Sequence, residues 1–293
     1  MWLADKWEDF AVLDSSDGMK LERWGDVILA RPDPQVIWKQ PQLGRDAWVR
    51  AGAVYHRSNK GGGSWEIRGN VPERWTVSYR EMTFHIKMMG FKHTGLFPEQ
   101  AVNWDFITEQ MKASGRNDLK ILNLFAYTGG ATVAAAAAGA EEVVHVDSSK
   151  GMVAWAKENI AASGLQEKKV RFIVDDVMKF VAREIRRGRK YDGIIMDPPS
   201  YGRGPNGEVW KLEEEIYGLL EQCMQILSDL PLFFLVNSYT TGFSPSVVSN
   251  MMALTISKKF GGTTAAEEIG LPIGKTGLVL PCGATARWLS GNR

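Results

Sequence analysis

The 293-residue chain is 44% hydrophobic and 24% charged, which is ordinary for a globular protein of one large or two smaller domains. Thirty-five basic against 34 acidic residues leave a net charge of +1, which excludes a chain-wide polycation and makes any basic surface local. Two cysteines, Cys223 and Cys282, exclude a disulfide framework or a Cys-built zinc site and read as reduced thiols of a cytoplasmic protein. The acidic start, Met1 to Lys6, lacks the apolar run of a signal peptide, and Ala131–Ala140 is too short to span a bilayer. Tryptophan stands out: eight of the 11 lie in the first 104 residues.

Residues 1–92 read as a small β-rich N-terminal domain suited to substrate recognition. Val27–Leu29, Val36–Trp38, Trp75–Tyr79 and Met82–Ile86 have strand character, and Gly61-Gly62-Gly63 marks a turn or loop. Charge is uneven here. Residues 1–30 hold three basic and seven acidic side chains, whereas residues 31–92 hold 11 and five. The second stretch interleaves Arg45, Arg50, Arg57, Lys60, Arg68, Arg74 and Arg80 with Trp38, Trp48, Tyr55, Trp65, Trp75 and Tyr79. That pattern suits looped or single-stranded RNA, where bases stack and phosphates need cations; it equally suits a Trp-rich core with a solvated basic face. Residues 93–117 form a linking segment, with Ala101, Trp104, Ile107 and Met111 at helical spacing after Pro98.

From residue 118 to 293 strands and helices alternate. Strands are expected at Leu119–Leu124, Glu142–Val146, Val170–Val174, Tyr191–Met196 and Leu232–Val236. Helices are expected up to Ala138 and at Ser149–Ala162, Val177–Arg187, Lys211–Leu227 and Pro245–Ser257. The last two strands, about Thr263–Gly270 and Gly277–Leu289, have no helix between them and can pair as an antiparallel hairpin. This predicts an α/β fold: a Rossmann-like, doubly wound, seven-stranded, mostly parallel sheet.

Such sheets bind ligands outside the carboxyl ends of their strands. The first strand ends in Phe125-Ala126-Tyr127-Thr128-Gly129-Gly130, which lets backbone approach a ligand or simply makes a tight turn. It is not Gly-x-Gly-x-x-Gly, which weighs against a nicotinamide dehydrogenase. The second strand ends in Asp147, 17 residues beyond Gly130, followed by Ser148. This acid suits a ribose diol, or capping of the next helix. The third ends in Asp175-Asp176-Val177, where an acid can accept from an adenine amino group. The fourth ends in Asp197-Pro198-Pro199-Ser200-Tyr201, where two prolines build a rigid wall. Tyr201 suits stacking on a flipped base or packing on the following helix. Arg203–Lys211 reads as a lid or a surface loop. The four histidines, His56, His85, His93 and His145, show no metal spacing, so no metal is expected.

Leu122–Gly130, Val146–Ser149, Asp176-Val177 and Asp197–Tyr201, in this order, resemble the class I S-adenosylmethionine-dependent methyltransferases, and more narrowly the bacterial large-subunit (23S) rRNA methyltransferase-like group. Phe91–Gln100 resembles the Lys-Thr-Gly-Phe…Asp-Gln element that precedes the catalytic domain there. The resemblance covers about residues 80–290; the N-terminal domain does not match the usual RNA-binding domain of that group.

The resemblance implies S-adenosyl-L-methionine as cofactor and RNA, rRNA in particular, as substrate. Cofactor-binding positions would be Thr94, Gln100, Phe125, Ala126, Tyr127, Thr128, Gly129, Gly130, Asp147, Ser148, Asp175, Asp176, Val177 and Asp197. Asp197, Pro198, Pro199 and Tyr201 would form the catalytic edge. Relatives that methylate cytosine C5 place a nucleophilic Cys after the fifth strand. Here Val236-Asn237-Ser238-Tyr239-Thr240-Thr241 has none, which favours direct transfer to nitrogen or oxygen. A protein or small-molecule methyltransferase, or a non-catalytic RNA-binding protein on this fold, are the other readings.

Overall fold

The computed structural model describes residues 1–58, 62–204 and 207–291. They cluster into two compact units. One comprises residues 2–101 and 269–282, the other mainly residues 102–268 and 283–293.

The first unit is mostly β. Its strands are β1 (Trp2–Leu3), β2 (Phe10–Ser16), β3 (Met19–Trp24) and β4 (Val27–Pro32), then β5 (Ala53–Arg57), β6 (Gly63–Ile67), β7 (Trp75–Tyr79) and β8 (Met82–Ile86). A short helix, α1 (Arg45–Val49), precedes β5. β2, β3 and β4 form an antiparallel meander, β5 joins β4 in parallel, β6 joins β5 antiparallel, and β7–β8 is a separate hairpin.

Val36–Trp38 is not a strand. The N–H groups of Val36 and Ile37 are spent on a local turn, on Asp33 O and Gln35 O. The segment's carbonyls are used by the neighbouring turn, where Gly18 N–H donates to Val36 O and Asp17 N–H to Trp38 O. Of the expected Gly61–Gly63 turn, Gly61 lies outside the described residues, as does Lys60, and Gly63 opens β6.

The tryptophans of this unit are anchors. Trp24 is fully buried. The indole N–H groups of Trp7, Trp38, Trp48, Trp65 and Trp75 donate to Pro98 O, Ser15 O, Asp14 Oδ2, Met89 O and Trp24 O. Buried charge is paired: Arg31 holds Glu22 at 2.6 and 2.9 Å, and Lys20 bridges Glu22 and Asp33. The guanidinium of Arg31 and the ammonium of Lys20 outweigh burial and hold the Glu22 carboxyl down to about 2.

A 3₁₀ turn, Pro98–Gln100, ends the first stretch of the first unit, and α2 (Ala101–Ala113) opens the second unit. Then follow β9 (Lys120–Leu124), α3 (Gly130–Ala137), β10 (Glu142–Asp147), α4 (Lys150–Ala162), β11 (Val170–Val174), α5 (Val177–Arg186) and β12 (Gly193–Met196). A two-stranded hairpin, β13 (Tyr201–Arg203) and β14 (Val209–Lys211), precedes α6 (Leu212–Cys223) and β15 (Phe233–Ser238). α7 (Pro245–Met252) runs through a π turn, Ala253–Ser257, into α8 (Lys258–Phe260). β16 (Thr263–Ile273) and β17 (Leu278–Leu289) close the chain.

Within a longer sheet, β11-β10-β9-β12-β15-β17-β16 are neighbours in that order, the seven strands expected of a doubly wound sheet with a terminal hairpin. β11 through β15 run parallel, and β17 is antiparallel to β15. β12 and β15 are buried throughout, the run of apolar residues a strand needs when helices cover both faces. Leu122, Val144, Ile194 and Phe234 pack beneath Phe180, Leu219 and Leu220 from the helices. No described helix is long and apolar enough to cross a membrane.

Candidate active site

β9 is flanked by β10 on one side and β12 on the other, so the chain reverses direction across the sheet between β9 and β12. That is the position where a doubly wound sheet opens a crevice at its carboxyl ends. The four expected segments follow β9, β10, β11 and β12, strands that are neighbours in the sheet.

The turn after β9 is conformationally costly. Phe125 (φ 53°), Tyr127 (φ 51°) and Gly129 (φ 85°) all have left-handed backbone, and two of them are not glycine. Such residues cost of order 1–3 kcal/mol each and persist where surrounding structure holds them. Here Ala126 N–H donates to Val146 O, Gly129 N–H to Ala126 O, and Tyr127 N–H to Asp147 Oδ2 at 2.8 Å. Gly129 is forced twice over, because a Cβ there would sit 2.9 Å from Ala156 Cβ. Gly130 is glycine for packing alone: its Cβ would lie 2.6 Å from Trp104 Cζ2. Phe125 stacks obliquely on Trp210, with ring centroids 4.9 Å apart, and Thr128 O accepts from the buried Asn159.

Asp147 does not cap α4. Ser149 does, its Oγ accepting from Met152 N–H. Asp147 instead takes Tyr127 N–H on Oδ2 and Ser149 N–H on Oδ1, each at 2.8 Å. A carboxylate has about four acceptor sites, so two donors leave capacity for more. Burial pushes the Asp147 carboxyl above the usual range, against the pull of those two N–H donors. Ser148 beside it is exposed.

Asp175 and Asp176 divide their work. Asp175 forms an ion pair with Arg183, whereas Asp176 caps α5 by accepting Lys179 N–H on Oδ1 at 2.9 Å. Val177 is the buried first residue of that helix.

After β12, Asp197 is half-buried, Pro198 buried and Pro199 exposed. Pro199 O accepts from Trp210 Nε1 at 2.7 Å, and Ser200 Oγ meets Thr240 Oγ1 at 2.6 Å, so the turn is clamped from both sides. Tyr201 is 53% exposed and starts β13, with its hydroxyl accepting from Arg203 Nε. The Arg203–Lys211 stretch is therefore a hairpin, in which Tyr201 opposes Lys211; Pro205 and Asn206 lie outside the described residues. Thr94 and Gln100 belong to the other unit, where Thr94 is buried and its hydroxyl finds no partner among the described residues.

Two features escaped the sequence reading. One is a buried polar cluster behind the turn: Asn123 Nδ2 donates to Thr132 Oγ1, which also meets His145 Nδ1, both at 2.9 Å. The other is Asn237, whose Nδ2 donates to Asp197 Oδ1 at 2.9 Å. Its signal was two polar residues, Asn237 and Ser238, closing an otherwise apolar buried strand.

A family model described as S-adenosylmethionine-dependent methyltransferase matches residues 45–219. A solved structure, the SAM-dependent methyltransferase from Agrobacterium tumefaciens, is 38% identical, with 98% of this chain and 92% of that one covered and a TM-score of 0.93. Among curated relatives, ribosomal RNA large subunit methyltransferase K/L of Shewanella baltica is 35% identical over 146 residues, 50% of this chain but only 20% of its own length. Ribosomal RNA large subunit methyltransferase K of Neisseria meningitidis is 25% identical over 84% of this chain and 70% of its own. The family match takes in the turn after β9 and all four strand-end segments, and the chain belongs to the S-adenosylmethionine-dependent methyltransferases.

Proposed function

We propose that the chain methylates RNA, rRNA in particular, at a nitrogen or oxygen, from a cofactor held at the carboxyl ends of β9 to β12. The observation that carries the reading is the joint formed by Tyr127 N–H and Asp147, which fixes a strained turn against an acid with unused acceptor capacity. The residues fit S-adenosylmethionine. Asp147, with Ser148 beside it, offers acceptors for ribose hydroxyls. The Oδ2 of Asp176 is not the atom used for capping and suits an adenine amino group, over the apolar Val177 and near Asp175. The N-terminus of α3 carries no side-chain cap at Gly129, so its N–H groups suit a carboxylate. Phe125, Ala126, Thr128, Gly129 and Gly130 wall the methionine side.

When bound, S-adenosylmethionine supplies an electrophilic methyl group on a sulfonium. The protein's part is then to align a nucleophile and exclude water, and positioning provides most of the rate. Asp197, Pro198 and Pro199 form the edge against which the target atom is set, and Tyr201 offers an exposed ring for stacking. Neither thiol suits nucleophilic attack. Burial pushes the Cys223 thiol up inside α6, and burial also raises that of Cys282. That supports direct transfer.

RNA as substrate is supported by the names of the relatives and by the β unit. There a cavity of about 610 Å³ is lined by Trp38, Lys39, Gln40, Gln42, Leu278 and Val279. Trp38 is fixed through its N–H, which suits a preorganised stacking face, and the two glutamines and the lysine suit base edges and phosphate. Reduced cysteines and a ribosomal substrate favour the cytoplasm as its place of work.

Calorimetric titration with S-adenosylmethionine, followed by tritiated-methyl transfer into separated RNA, protein and metabolite pools, tests the reading. Binding that Asp147→Ala abolishes, with label in RNA, is expected. Label confined to protein or metabolites overturns the RNA assignment, and absence of binding overturns the cofactor site.

A further inference from the structure

Three buried polar side chains and the half-buried Arg287 run in a single string to Asp197. Arg287 donates through Nη2 and Nε to Asn103 Oδ1 at 2.9 and 3.1 Å. Asn103 Nδ2 donates to Thr285 Oγ1 at 3.0 Å. Thr285 Oγ1 donates to Asn237 Oδ1 at 2.5 Å, and Asn237 Nδ2 donates to Asp197 Oδ1 at 2.9 Å. Asn103, Thr285 and Asn237 are each no more than 1% exposed.

The direction of the string is set by its ends. A guanidinium can only donate and an ionised carboxylate only accept. With Asn103 Oδ1 engaged by Arg287, its amide nitrogen must face Thr285. The one hydroxyl proton of Thr285 then goes to Asn237, whose nitrogen is left for Asp197. Neither amide can flip and the hydroxyl cannot rotate without losing a buried hydrogen bond, and bonds aligned head to tail in a buried setting strengthen one another.

Sheet register makes the string possible. Asn237 on β15 directly opposes Thr285 on β17, and Met196, just before Asp197, opposes Val236, just before Asn237. Arg287 lies two residues along from Thr285, and α2 supplies Asn103. Phe106, also on α2, takes the guanidinium of Arg287 over its ring at 4.8 Å.

From this geometry we infer that Asn237, Thr285, Asn103 and Arg287 are positioning residues that hold the Asp197 carboxylate in one orientation at the methyl-transfer edge. The inference rests on the function proposed above. Its purpose is alignment: a carboxylate held through a fixed amide presents the same face to each incoming substrate, and misplacement by about 1 Å at such a site costs up to about a hundredfold in rate.

Thr285→Val removes the hydroxyl and keeps the shape; Thr285→Ser restores the hydroxyl. Full-length protein is assayed with S-adenosylmethionine and total RNA from cells lacking the protein. Thr285→Val is expected to lower kcat by about tenfold to a hundredfold, with KM for RNA, Kd for S-adenosylmethionine and Tm close to wild type. Thr285→Ser is expected to recover most of the rate. In the ligand-free protein, the side-chain amide protons of Asn237 are expected to exchange about tenfold faster in Thr285→Val, the scale of one buried hydrogen bond. That readout needs no turnover. It can fail while the wild type methylates RNA, which sinks the string alone, or hold while the wild type does not, which sinks the function alone. A wild-type kcat in Thr285→Val overturns the inference. So does a valine variant whose kcat, cofactor affinity and Tm fall together, or a serine variant no better than valine. Should Thr285→Val not fold, Asn103→Leu puts the same question from the far end, and failure of both to fold makes the string a folding element and overturns the inference.

Discussion

Tyr127 and Asp147 are joined by one hydrogen bond, from the backbone N–H of Tyr127 to Oδ2 of the carboxylate at 2.8 Å, so the turn after β9 and the end of β10 form one rigid piece. This has a pH consequence. The carboxyl of Asp147 is raised above its ordinary value by burial, and only its ionised form accepts fully from both backbone N–H groups and from ribose hydroxyls. Cofactor affinity is therefore expected to fall as pH drops through that raised pKa, at a pH where an exposed Asp remains ionised. Folding follows the opposite sign. The burial cost is absent below the unfolded pKa of 3.8 and appears as pH rises through the folded value. Calorimetry from pH 7 to pH 4, with Asp147→Asn as control, checks both: the variant binds weakly at every pH and loses the pH dependence. A wild-type affinity flat over this range is incompatible with ribose binding by Asp147.

Gly129 and Gly130 are expected to fail differently. Gly129→Ala meets both a left-handed backbone and Ala156 Cβ at 2.9 Å, and should cost about 2–4 kcal/mol. Ala156→Gly removes the contact but not the backbone strain, so rescue is partial at best. Gly130→Ala meets only the edge of Trp104, and should cost about 1–3 kcal/mol. Trp104→Phe withdraws that edge, so the double variant is expected to be more stable than the sum of the singles. Urea denaturation of the two double-mutant cycles reads the coupling. Equal coupling in both cycles contradicts the distinction.

The catalytic unit was legible because each strand is a short apolar run ending in a chemically distinct segment, and because alternation with helices admits few topologies. Asp147 shows the limit of that reading. Spacing allows either a cap or a ligand acid, and in the folded chain it is Ser149 that does the capping. The bonding of Asn237 was not legible because its partners, Thr285 and Asp197, are 48 and 40 residues away. The β unit was harder for a different reason. β2 and β3 carry Asp14 and Glu22 fully buried, so the strand alternation is broken by charges that Arg31, Lys20 and backbone N–H groups satisfy. Residues that look like an acidic leader are thus partly interior, and some of the basic stretch is already paired: Arg31 with the buried Glu22, and Arg68 with Glu66 at the surface. The tryptophan excess resolves mainly into core and indole anchors.

Trp38 also lines the cavity of about 610 Å³ in this unit. Its N–H is held by Ser15, so its ring is positioned before any ligand arrives. Trp38→Ala is expected to weaken RNA binding by about 1–3 kcal/mol, the range for one base–aromatic stack. S-adenosylmethionine affinity should not change. Filter binding with total RNA beside calorimetry with the cofactor separates the two. Unchanged RNA affinity would remove the cavity from the RNA surface without touching the cofactor site.

Direct transfer predicts that thiols are dispensable. Cys223 is wholly buried and Cys282 partly so, and burial raises both thiols, which leaves little thiolate at neutral pH. The Cys223→Ala/Cys282→Ala variant is expected to keep methyl transfer within a few-fold of wild type. Cys223→Ala itself should cost about 1 kcal/mol of stability from the small cavity left in α6. A folded, cofactor-binding double variant with no transfer would bring a cysteine mechanism back.

His145 is fully buried on β10, with Nδ1 on Thr132 and Nε2 without a partner among the described residues. Burial holds its imidazole down to about 3, from 6.5. The folded protein therefore keeps it neutral while the unfolded chain protonates below pH 6.5. The sign follows: stability is full above 6.5 and is lost progressively as pH falls toward 3. Between pH 7 and pH 5 this group should account for about 2 kcal/mol, at roughly 1.4 kcal/mol per pH unit below 6.5. His93 in the other unit, held down to about 4 by burial and by nearby Arg31 and Lys92, adds a loss of the same sign. The contribution of His145 is isolated by comparing wild type with His145→Asn, which cannot titrate and keeps a polar partner for Thr132. The variant is expected to be less stable at pH 7 but to lose less on acidification. Because Thr132 lies on α3 directly behind the turn, acidification should also loosen that turn. Amide exchange at Ala126 and Gly129 is expected to rise between pH 6.5 and pH 5 beyond its intrinsic pH dependence in wild type but not in His145→Asn. Parallel stability curves for the two proteins would show that the buried imidazole is not what couples this turn to pH.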